Sequence, residues 1–303
     1  MWHGRQARRG QPPPRCSGRC ANGRTGSDGR RAGGSSRRCF SPSSVCGPGE
    51  RDTMSDHDHI LALESRLMNA WPAFDYQAYE GWILRLANGY SKRANSATPF
   101  MPGARLDDEL IDYMILRFLD ANVRPTFRLT GLQDPAVDGT LKARGFLEIE
   151  PTFVLTAPVN GDCEPDPEVA IESQVSKRWV REAAQSYGGD KADDTTLIEI
   201  VSRIRQKAAF ATLSLDERPV AWGLGVVERG YVGLYDIVVA PDLRGIGLGR
   251  RVVASLMAWG CREGAHTAYL QVREENEIAL SLYRAFGFTP AYRYTHRVMP
   301  GGA

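Results

Sequence analysis

Residues 231–251 read YVGLYDIVVAPDLRGIGLGRR, and this stretch decides the fold. It joins an apolar run typical of a strand, a turn at Pro241, a loop with three glycines and the start of a helix. Successive N–H groups of such a loop point into a concavity, and the helix dipole adds about half a positive charge there. The stretch therefore predicts an anion site, most simply for phosphate, with Arg244, Arg250 and Arg251 at its rim.

The glycine spacing excludes two familiar nucleotide loops. A P-loop needs G-x4-G-K-[ST], and no lysine follows the glycines here. A dinucleotide fingerprint needs G-x-G-x-x-G, whereas Gly245, Gly247 and Gly249 are spaced by two. A phosphate loop of another kind and a turn that merely begins a helix remain as alternatives.

Two blocks of sequence carry a family resemblance. The pattern R-x-x-G-x-G at residues 244–249 resembles the acetyl-CoA pyrophosphate loop of the GCN5-related N-acetyltransferase (GNAT) family. Residues 270–288, LQVREENEIALSLYRAFGF, are similar to that family's second conserved block, with Asn, Ala, Tyr and Gly-Phe at its usual spacing. The resemblance extends less sharply over 168–300, and residues 60–156 look like a degenerate second copy without the glycine loop.

The resemblance implies an acyl-CoA N-acyltransferase (GNAT) fold and no metal. It implies transfer of an acetyl group from acetyl-CoA, used as a co-substrate, directly to a primary amine. In the family the pantetheine arm follows the strand before the loop, the pyrophosphate lies on the loop, and an asparagine lies along the cofactor. The corresponding cofactor-binding residues are Ile237, Val238, Val239, Arg244, Gly245, Ile246, Gly247, Leu248, Gly249, Arg250 and Asn276.

By the same resemblance, Tyr283 takes the general-acid role and returns a proton to the departing thiolate. A phenol with a pKa near 10 is protonated at pH 7 and can donate to a thiolate whose conjugate acid has a pKa near 8.5. Core packing is the alternative, since Tyr283 lies on an apolar helical stripe.

Two carboxylates are candidates for removing the amine proton. An amine with a pKa near 10.4 is unprotonated in only about one molecule in 2,500 at pH 7, so a side chain or a water should take its proton. Asp236 lies on the strand before the loop, where strict alternation places it on one face with Leu234 and Val238, and Glu228 ends the preceding strand. Each can equally be a solvated or capping carboxylate.

The sequence leaves the acceptor open between a small-molecule and a peptide amine. Helices within 175–207 are expected to form one wall of the acceptor cleft. The first half is expected to contribute another wall through Trp82, Arg85, Arg93 and Asn95. His266 and His296 are expected to be structural or exposed.

The first 53 residues differ from the remainder. They hold 11 Arg, no Lys, three acids and no Leu or Ile, a charge of +8, whereas residues 54–303 carry −6. So few apolar side chains cannot offset an ordering entropy of roughly 1–2 kcal/mol per residue. We expect a disordered Arg/Gly/Pro/Ser-rich tail or a mispredicted extension upstream of a start at Met54. A transit peptide and a nucleic-acid-binding arm are less favoured, because amphipathic and aromatic residues are scarce.

Four of the six cysteines, Cys16, Cys20, Cys39 and Cys46, lie in this tail at spacings that fit no zinc pattern. The two others do not make a disulfide framework, so a reducing cytoplasm is expected. No run approaches the roughly 18 apolar residues that cross a bilayer, which argues against a membrane partner. The oligomeric state is left open.

Beyond the tail the pattern predicts an α/β (α+β mixed sheet) architecture. The family resemblance implies two tandem GNAT-like domains. Residues 54–157 form the degenerate domain, 158–167 a proline-rich linker, and 168–303 the catalytic domain. Helices are predicted at 59–69, 110–119, 175–187, 194–207 and 275–286, before Gly145 and after Gly249. Strands are predicted at 79–86, 93–100, 126–130, 153–156, 169–172, 209–215, 220–228, 231–239 and 267–272, with a closing pair around 288–298.

These observations favour an acetyl-CoA-dependent N-acetyltransferase. The alternative is a non-catalytic acyl-CoA-binding regulatory module, suggested by the divergent first half and the missing clear base. A nucleic-acid-associated protein that uses the basic tail is a third, weaker reading.

Overall fold

The computed structural model describes residues 55–160, 164–187 and 194–301. The tail of residues 1–53, its four cysteines and Cys163 lie outside these ranges, so the expectations about them stay predictions. Residues 52–303 form one compact unit. Among the helices of the described ranges, none is both long and apolar enough to cross a membrane.

Helices and strands alternate along the chain. The helices are α1 (Asp56–Ala70), α2 (Asp108–Asp120), α3 (Ala136–Ala143), α4 (Lys177–Tyr187), α5 (Asp194–Ser202), α6 (Leu248–Arg262) and α7 (Glu277–Arg284). The strands are β1 (Asp75–Tyr79), β2 (Trp82–Leu86), β3 (Ser96–Pro99), β4 (Thr126–Leu129), β5 (Leu147–Pro158), β6 (Val169–Glu172), β7 (Lys207–Leu215), β8 (Arg218–Glu228), β9 (Tyr231–Val239), β10 (Thr267–Arg273) and β11 (Thr289–Val298). The predicted mixed α/β fold is confirmed.

The strands form one sheet in the order β1-β2-β3-β4-β11-β5-β10-β9-β8-β7-β6. Strand β5 ends the first half of the chain but pairs with β10, and β11 ends the second half but pairs with β4. The two also pair with each other, antiparallel. The halves therefore interlock through their last strands and share one sheet. The division at residues 158–167 stays a prediction about two related halves.

The bounds of several predicted strands differ from the structure, and two predictions differ in the number of strands. The predicted strand 79–86 is the end of β1 and all of β2, separated by a turn at Glu80 and Gly81, where φ is +42° and +89°. Strand β1 carries Asp and Gln on an exposed sheet edge, so it lacks an apolar pattern. The closing strand pair is a single strand, β11, with irregular register after Pro290 and after Tyr294.

Helices cover both faces of the sheet. One core cluster lies under α1, α4 and α5, and it includes Trp71, Tyr235 and Tyr294. A second lies under α6 and α7 and includes Leu234 and Tyr283. A third lies under α2 and α3 in the first half. The site described below is positioned by the first two clusters.

A buried ion pair lies beside the seam between the halves. Arg128 Nη1 on β4 donates to Glu64 Oε2 on α1 at 2.6 Å, and both side chains are almost fully buried. Glu64 also accepts from the Tyr292 hydroxyl, and Arg128 Nη2 donates to Gln271 Oε1 on β10 at 3.2 Å. Burial alone would lower the Arg128 pKa, but Glu64 raises it above its ordinary value. This network joins α1 with strands from both halves.

We predict that Arg128→Met lowers the free energy of unfolding by about 3–5 kcal/mol, because it leaves the Glu64 carboxylate buried and unpaired. Denaturant unfolding followed by circular dichroism measures the change. Arg105→Met is the control, since Arg105 pairs with Asp134 at the surface; its unfolding should be unchanged. Equal effects of the two substitutions would contradict a structural role for the buried pair.

Candidate active site

The site begins where two parallel strands separate. Strands β9 and β10 pair from Tyr231↔Thr267 to Leu234↔Leu270, and their pairing ends there. Strand β9 continues to Val239 and β10 to Arg273. Carboxyl ends of neighbouring parallel strands that diverge are the usual place of ligand clefts in α/β sheets. The gap leaves one backbone edge of β9 without a strand neighbour beyond Leu234.

A β-bulge in β9 lies at this opening. Trp222 pairs with Val238 but Leu224 pairs with Tyr235, so β9 holds one more residue than β8 across this step. Asp236 lies in the bulge with φ +48°, in the left-handed region that Asp tolerates better than most residues. The extra residue breaks the alternation of side chains.

The prediction that Asp236 shares one face with both Leu234 and Val238 is therefore wrong for Leu234. Leu234 and Val238 lie in different core clusters instead of sharing one. Asp236 contacts Tyr187 of α4 and Arg93, whose guanidinium lies 4.4 Å from the ring centre of Trp71. It thus lies on the α1/α4 face of the sheet, because one inserted residue reverses a period of two.

A cleft of about 660 Å³ occupies the gap. Its lining comes from both halves of the chain and from both faces of the sheet. The lining residues are Gly89, Tyr90, Ser91, Lys92, Arg93, Glu150, Thr152, Tyr187, Leu234, Tyr235, Asp236, Ile237, Gln271, Val272, Arg273, Glu275, Asn276, Ala279, Tyr283, Tyr294 and His296. Since Tyr235 belongs to the α1/α4 side and Tyr283 to the α6/α7 side, the cleft runs through the sheet between β9 and β10.

Asp236 lines this cleft with a buried carboxylate. Its side chain is 4% exposed, and Oδ1 accepts from Tyr187 Oη at 3.0 Å and from Arg93 Nη2 at 3.5 Å. Oδ2 is buried and has no hydrogen-bond partner in the described part of the chain. Burial and the Asp236 charge raise the pKa of Tyr187 well above its usual value, so its hydroxyl stays a donor. The free oxygen is a ready acceptor for an N–H group.

Tyr283 lies on the opposite face. It packs edge-on against Phe288 at 5.7 Å between ring centres, and burial raises its pKa to about 12. No described residue forms a hydrogen bond with its hydroxyl, which borders the cleft. Tyr283 is thus both a core residue and a cleft residue, and its hydroxyl is protonated throughout the physiological pH range.

The glycine loop presents free backbone donors. Gly245 and Gly247 have φ of +85° and +91°, which glycine adopts without strain, and α6 begins directly after Gly247. Among the described residues, no group accepts a hydrogen bond from the backbone N–H groups of residues 244–249. Exposed N–H groups at a helix N-terminus form an anion site. The loop therefore fits a phosphate-bearing group.

The three rim arginines differ in their partners. Arg244 donates to the backbone oxygens of Val239 at 3.2 Å and Ser186 at 3.0 Å, so it ties the loop to β9 and α4. Arg251 forms an ion pair with Asp166, whose carboxylate raises the Arg251 pKa. Arg250 is exposed, with its guanidinium 5.0 Å from the ring centre of Phe286. Of the three, Arg250 is best placed to meet an anion, and Arg251 is not directed to this role.

Other predicted residues fall into two groups. Ile237 and Asn276 border the cleft, and Asn276 Oδ1 caps α7 by accepting from Ala279 N at 3.1 Å. Glu228 is the last residue of β8 and pairs with Tyr231 at the start of β9, far from the end of β9 that borders the cleft. It does not line the cleft. Its carboxylate accepts from Asn69 Nδ2 and Arg229 Nε, both at 3.1 Å. The structure brings Asp236 and Tyr283 together in one cleft but not Glu228.

The first half of the chain contributes one wall of the cleft. Of its four predicted residues, only Arg93 lines that wall. Arg93 reaches the cleft, whereas Asn95 holds the backbone of the 87–95 loop from behind, donating to Ala87 O and Ser91 O. Arg85 likewise binds backbone oxygens from a buried position, and Trp82 donates to Arg105 O. The residues that sequence reasoning missed are Tyr90, Lys92, Glu150, Thr152, Gln271, Arg273, Tyr294 and His296. Tyr90 and Lys92 lie in the loop between β2 and β3, and the others lie on β5, β10 and β11. Only the tertiary structure brings them together, so no local pattern signals them.

The corresponding strand–loop–helix of the first half is built differently. The loop after β3 uses its own N–H groups, since Phe100 N donates to Gly81 O and Gly103 N to Leu132 O. Helix α2 is capped by Asp107, with Asp108 and Glu109 in its first turn. The Asp107 side chain already accepts a hydrogen bond at this helix N-terminus, and the three carboxylates would repel an anion there. The first half presents no phosphate loop of the second half's kind.

The family comparison agrees with this geometry. The profile of the family described as "Probable histone acetyltransferase Rv0428c C-terminal" matches residues 58–297. The chain belongs to this acetyltransferase family. It is an N-acetyltransferase, and the GNAT resemblance is confirmed.

Relatives and solved structures extend the comparison. The "Uncharacterized N-acetyltransferase YobR" of Bacillus subtilis is 28% identical over 246 residues, covering 80% of this chain and 99% of that protein. A GCN5-related N-acetyltransferase from Kribbella flavida superposes with a TM-score of 0.59 at 17% identity, covering 80% of this N-acetyltransferase and 96% of that chain. A tandem GNAT protein from the clavulanic acid biosynthesis pathway reaches 0.51 at 12% identity, with 84% and 91% covered. These structures share the fold.

We predict that Gly247→Ala lowers the free energy of unfolding by about 1–2 kcal/mol, because a Cβ is unfavourable in the left-handed region. Gly139→Ala is the control: Gly139 lies inside α3, outside the left-handed region, with no atom within 4 Å of an added Cβ. It should raise stability by about 0.5–1 kcal/mol. Denaturant unfolding measures both changes in the free energy of unfolding. Changes of the same sign would contradict the requirement for a positive φ at Gly247.

Proposed function

We propose that this N-acetyltransferase uses acetyl-CoA and transfers the acetyl group directly to a primary amine within a ternary complex. The observation that carries the proposal is a cleft through the sheet that holds Asp236 on one face and Tyr283 on the other. The cleft lies beside β9, the strand that leads directly into a loop of unpaired N–H groups. Among the described residues that line this cleft there is no cysteine, which supports direct transfer over a thioester on the enzyme. The expected cytoplasmic location is part of the same proposal.

The residues present fit the cofactor. The free edge of β9 at residues 237–239 offers backbone groups to the amides of a pantetheine arm, and the N–H groups of residues 244–249 suit a pyrophosphate. Arg250 adds a cation at the loop, and Asn276 borders the cleft between β10 and α7. The co-substrate supplies the acyl thioester.

Tyr283 is proposed as the donor to the leaving thiolate. Full transfer from a phenol with a pKa of about 12 to a thiolate whose conjugate acid has a pKa near 8.5 is uphill by roughly 5 kcal/mol. The burial that raises the phenol pKa also raises that of a thiol in the same cleft, which narrows the difference. Tyr283 therefore stabilises the developing thiolate first through its hydrogen bond.

Asp236 is proposed as the group that takes the amine proton. Its free Oδ2 is buried in the cleft, and the Tyr187 hydroxyl and Arg93 hold Oδ1. An ammonium group that enters is attracted by the carboxylate, and the proton lost on attack has an acceptor at hydrogen-bond range. Glu228 is too remote for this role, because it ends β8 opposite Tyr231, at the far end of β9 from the cleft.

We predict that calorimetry detects acetyl-CoA binding to the purified chain and that a primary-amine library elicits CoA release. Tyr283→Phe should retain the acetyl-CoA affinity and lose about 10²-fold or more in kcat, since only proton donation is removed. Tyr231→Phe, at the opposite end of β9, is the control and should keep its turnover. Acetyl-CoA binding without any CoA release would favour the non-catalytic acyl-CoA-binding module instead. An unchanged kcat in Tyr283→Phe would reject Tyr283 as the general acid.

We also predict that Asp236→Asn lowers kcat/KM for the amine by about 10²–10⁴-fold while acetyl-CoA still binds, because an amide cannot take the proton. Glu228→Gln makes the same change of charge outside the cleft and should leave kcat/KM unaltered. Steady-state CoA release with saturating acetyl-CoA measures both. A larger loss in Glu228→Gln than in Asp236→Asn would reverse the assignment.

A further inference from the structure

A histidine with no assigned role lies in the cleft. His296 is buried on β11, lines the cleft, and packs edge-on against Tyr294 at 5.4 Å between ring centres. Within the described residues, neither of its ring nitrogens has a hydrogen-bond partner. Buried polar atoms in native proteins are nearly always satisfied, so two orphaned nitrogens on a residue that lines a cleft indicate that a ligand completes them.

Charged groups surround this ring from several elements. Lys92 lies in the loop between β2 and β3, Arg128 on β4, Arg273 on β10 and Glu150 on β5. Glu150 Oε2 is 4.0 Å from His296 Nδ1, which is too long for a hydrogen bond, and Lys92 pairs with Glu150 at 3.2 Å. Burial, followed by Arg128, Lys92 and Arg273, lowers the pKa of His296 well below its usual value. The imidazole is therefore neutral at pH 7.

A neutral imidazole offers one N–H donor and one lone-pair acceptor. It is a poor proton acceptor here, because gaining a charge would place it among three cations. The same cations disfavour an ammonium group beside the ring. A hydroxyl or a carboxamide matches both nitrogens, since each of these groups can donate and accept.

Asp236, in the same cleft, differs from His296 in the charge it attracts, because its carboxylate favours a cation. Asp236 and His296 both lie on the α1/α4 face of the sheet, where Asp236 contacts Tyr187 and His296 contacts Tyr294. The carboxylate suits the reactive amine, and the imidazole suits a group elsewhere on the same molecule. The two orphaned sites therefore differ in the charge they accept.

We infer that His296 is the specificity-determining residue for an acceptor that places its amine at Asp236 and a neutral hydroxyl or carboxamide at His296. This inference rests on the proposed function and narrows its substrate class. Diamines, polyamines and lysine-rich peptides are excluded from this class, because their second cation would lie among Lys92, Arg128 and Arg273.

The test uses the full chain and linear primary amines at three chain lengths. At each length the remote end is a methyl, hydroxyl, carboxamide, carboxylate or ammonium group, and CoA release measures kcat/KM. In the wild type the best hydroxyl or carboxamide amine should exceed its methyl, carboxylate and ammonium counterparts by about tenfold or more, the discrimination expected when buried polar groups are left unpaired.

Variants connect the preference to the ring. His296→Phe should reduce the preference to within about twofold, because phenylalanine keeps the ring's bulk and removes both polar atoms. His296→Gln, which restores a donor and an acceptor, should regain part of it and guards against a folding defect. His266→Phe, at an exposed histidine outside the cleft, should change nothing. The KM for acetyl-CoA should be the same in all four proteins.

Two results would overturn the inference while the proposed function stands. One is a wild-type preference for ammonium or carboxylate amines, or for a lysine-containing peptide over every neutral-group amine. The other is a His296→Phe enzyme that keeps the wild-type preference. Acetyl-CoA binding without acetylation of any amine or peptide would instead overturn the proposed function, and this inference with it.

Discussion

The parallel pairing of β9 and β10 ends at Leu234 and Leu270, and the rest of the site depends on that separation. Beyond it each strand keeps its outer neighbour, because β9 still pairs with β8 and β10 with β5. The inner edges are thereby held apart by a continuous sheet and cannot close. The glycine loop follows β9 directly, so the anion site and the gap occupy the same end of the strand.

The bulge at Asp236 gives this gap its chemistry. A residue with positive φ at that point turns the carboxylate to the α1/α4 face, while Tyr283 approaches from α7 on the other face. The proposed proton acceptor and the proposed proton donor thus lie on opposite faces of the sheet and meet only at the opening.

The exchange of β5 and β11 explains why the cleft takes residues from both halves. Each last strand lies in the sheet of the other half, so the wall opposite Asp236 consists of side chains from β5, β10 and β11. The buried Glu64–Arg128 pair and Gln271 fix α1 against the same strands. The first half has acids where the second half has its glycine loop, which fits a role in forming the acceptor wall rather than in holding phosphate.

Short-range sequence was sufficient for much of the fold. Strand β6 was predicted with its observed bounds, and α2 and α4 within two residues at their ends, because their apolar spacing and caps are local. The glycine loop was also predicted from the sequence, because Gly245 and Gly247 adopt positive φ, which glycine tolerates better than other residues. The polar edge strand β1 was missed because exposure removes the alternating pattern.

The sequence alone was enough to indicate the family, to locate the glycine loop, and to mark Asp236 and Tyr283 as candidates for proton transfer. Three features depend on the tertiary structure. They are the face of Asp236, the position of Glu228 outside the cleft, and the grouping of Lys92, Glu150 and His296 in the lining of the cleft. The physical reason is that a single inserted residue reverses the side of a strand's side chains, and that strand register couples positions far apart in the chain. Neither effect leaves a periodic signal in the residues themselves.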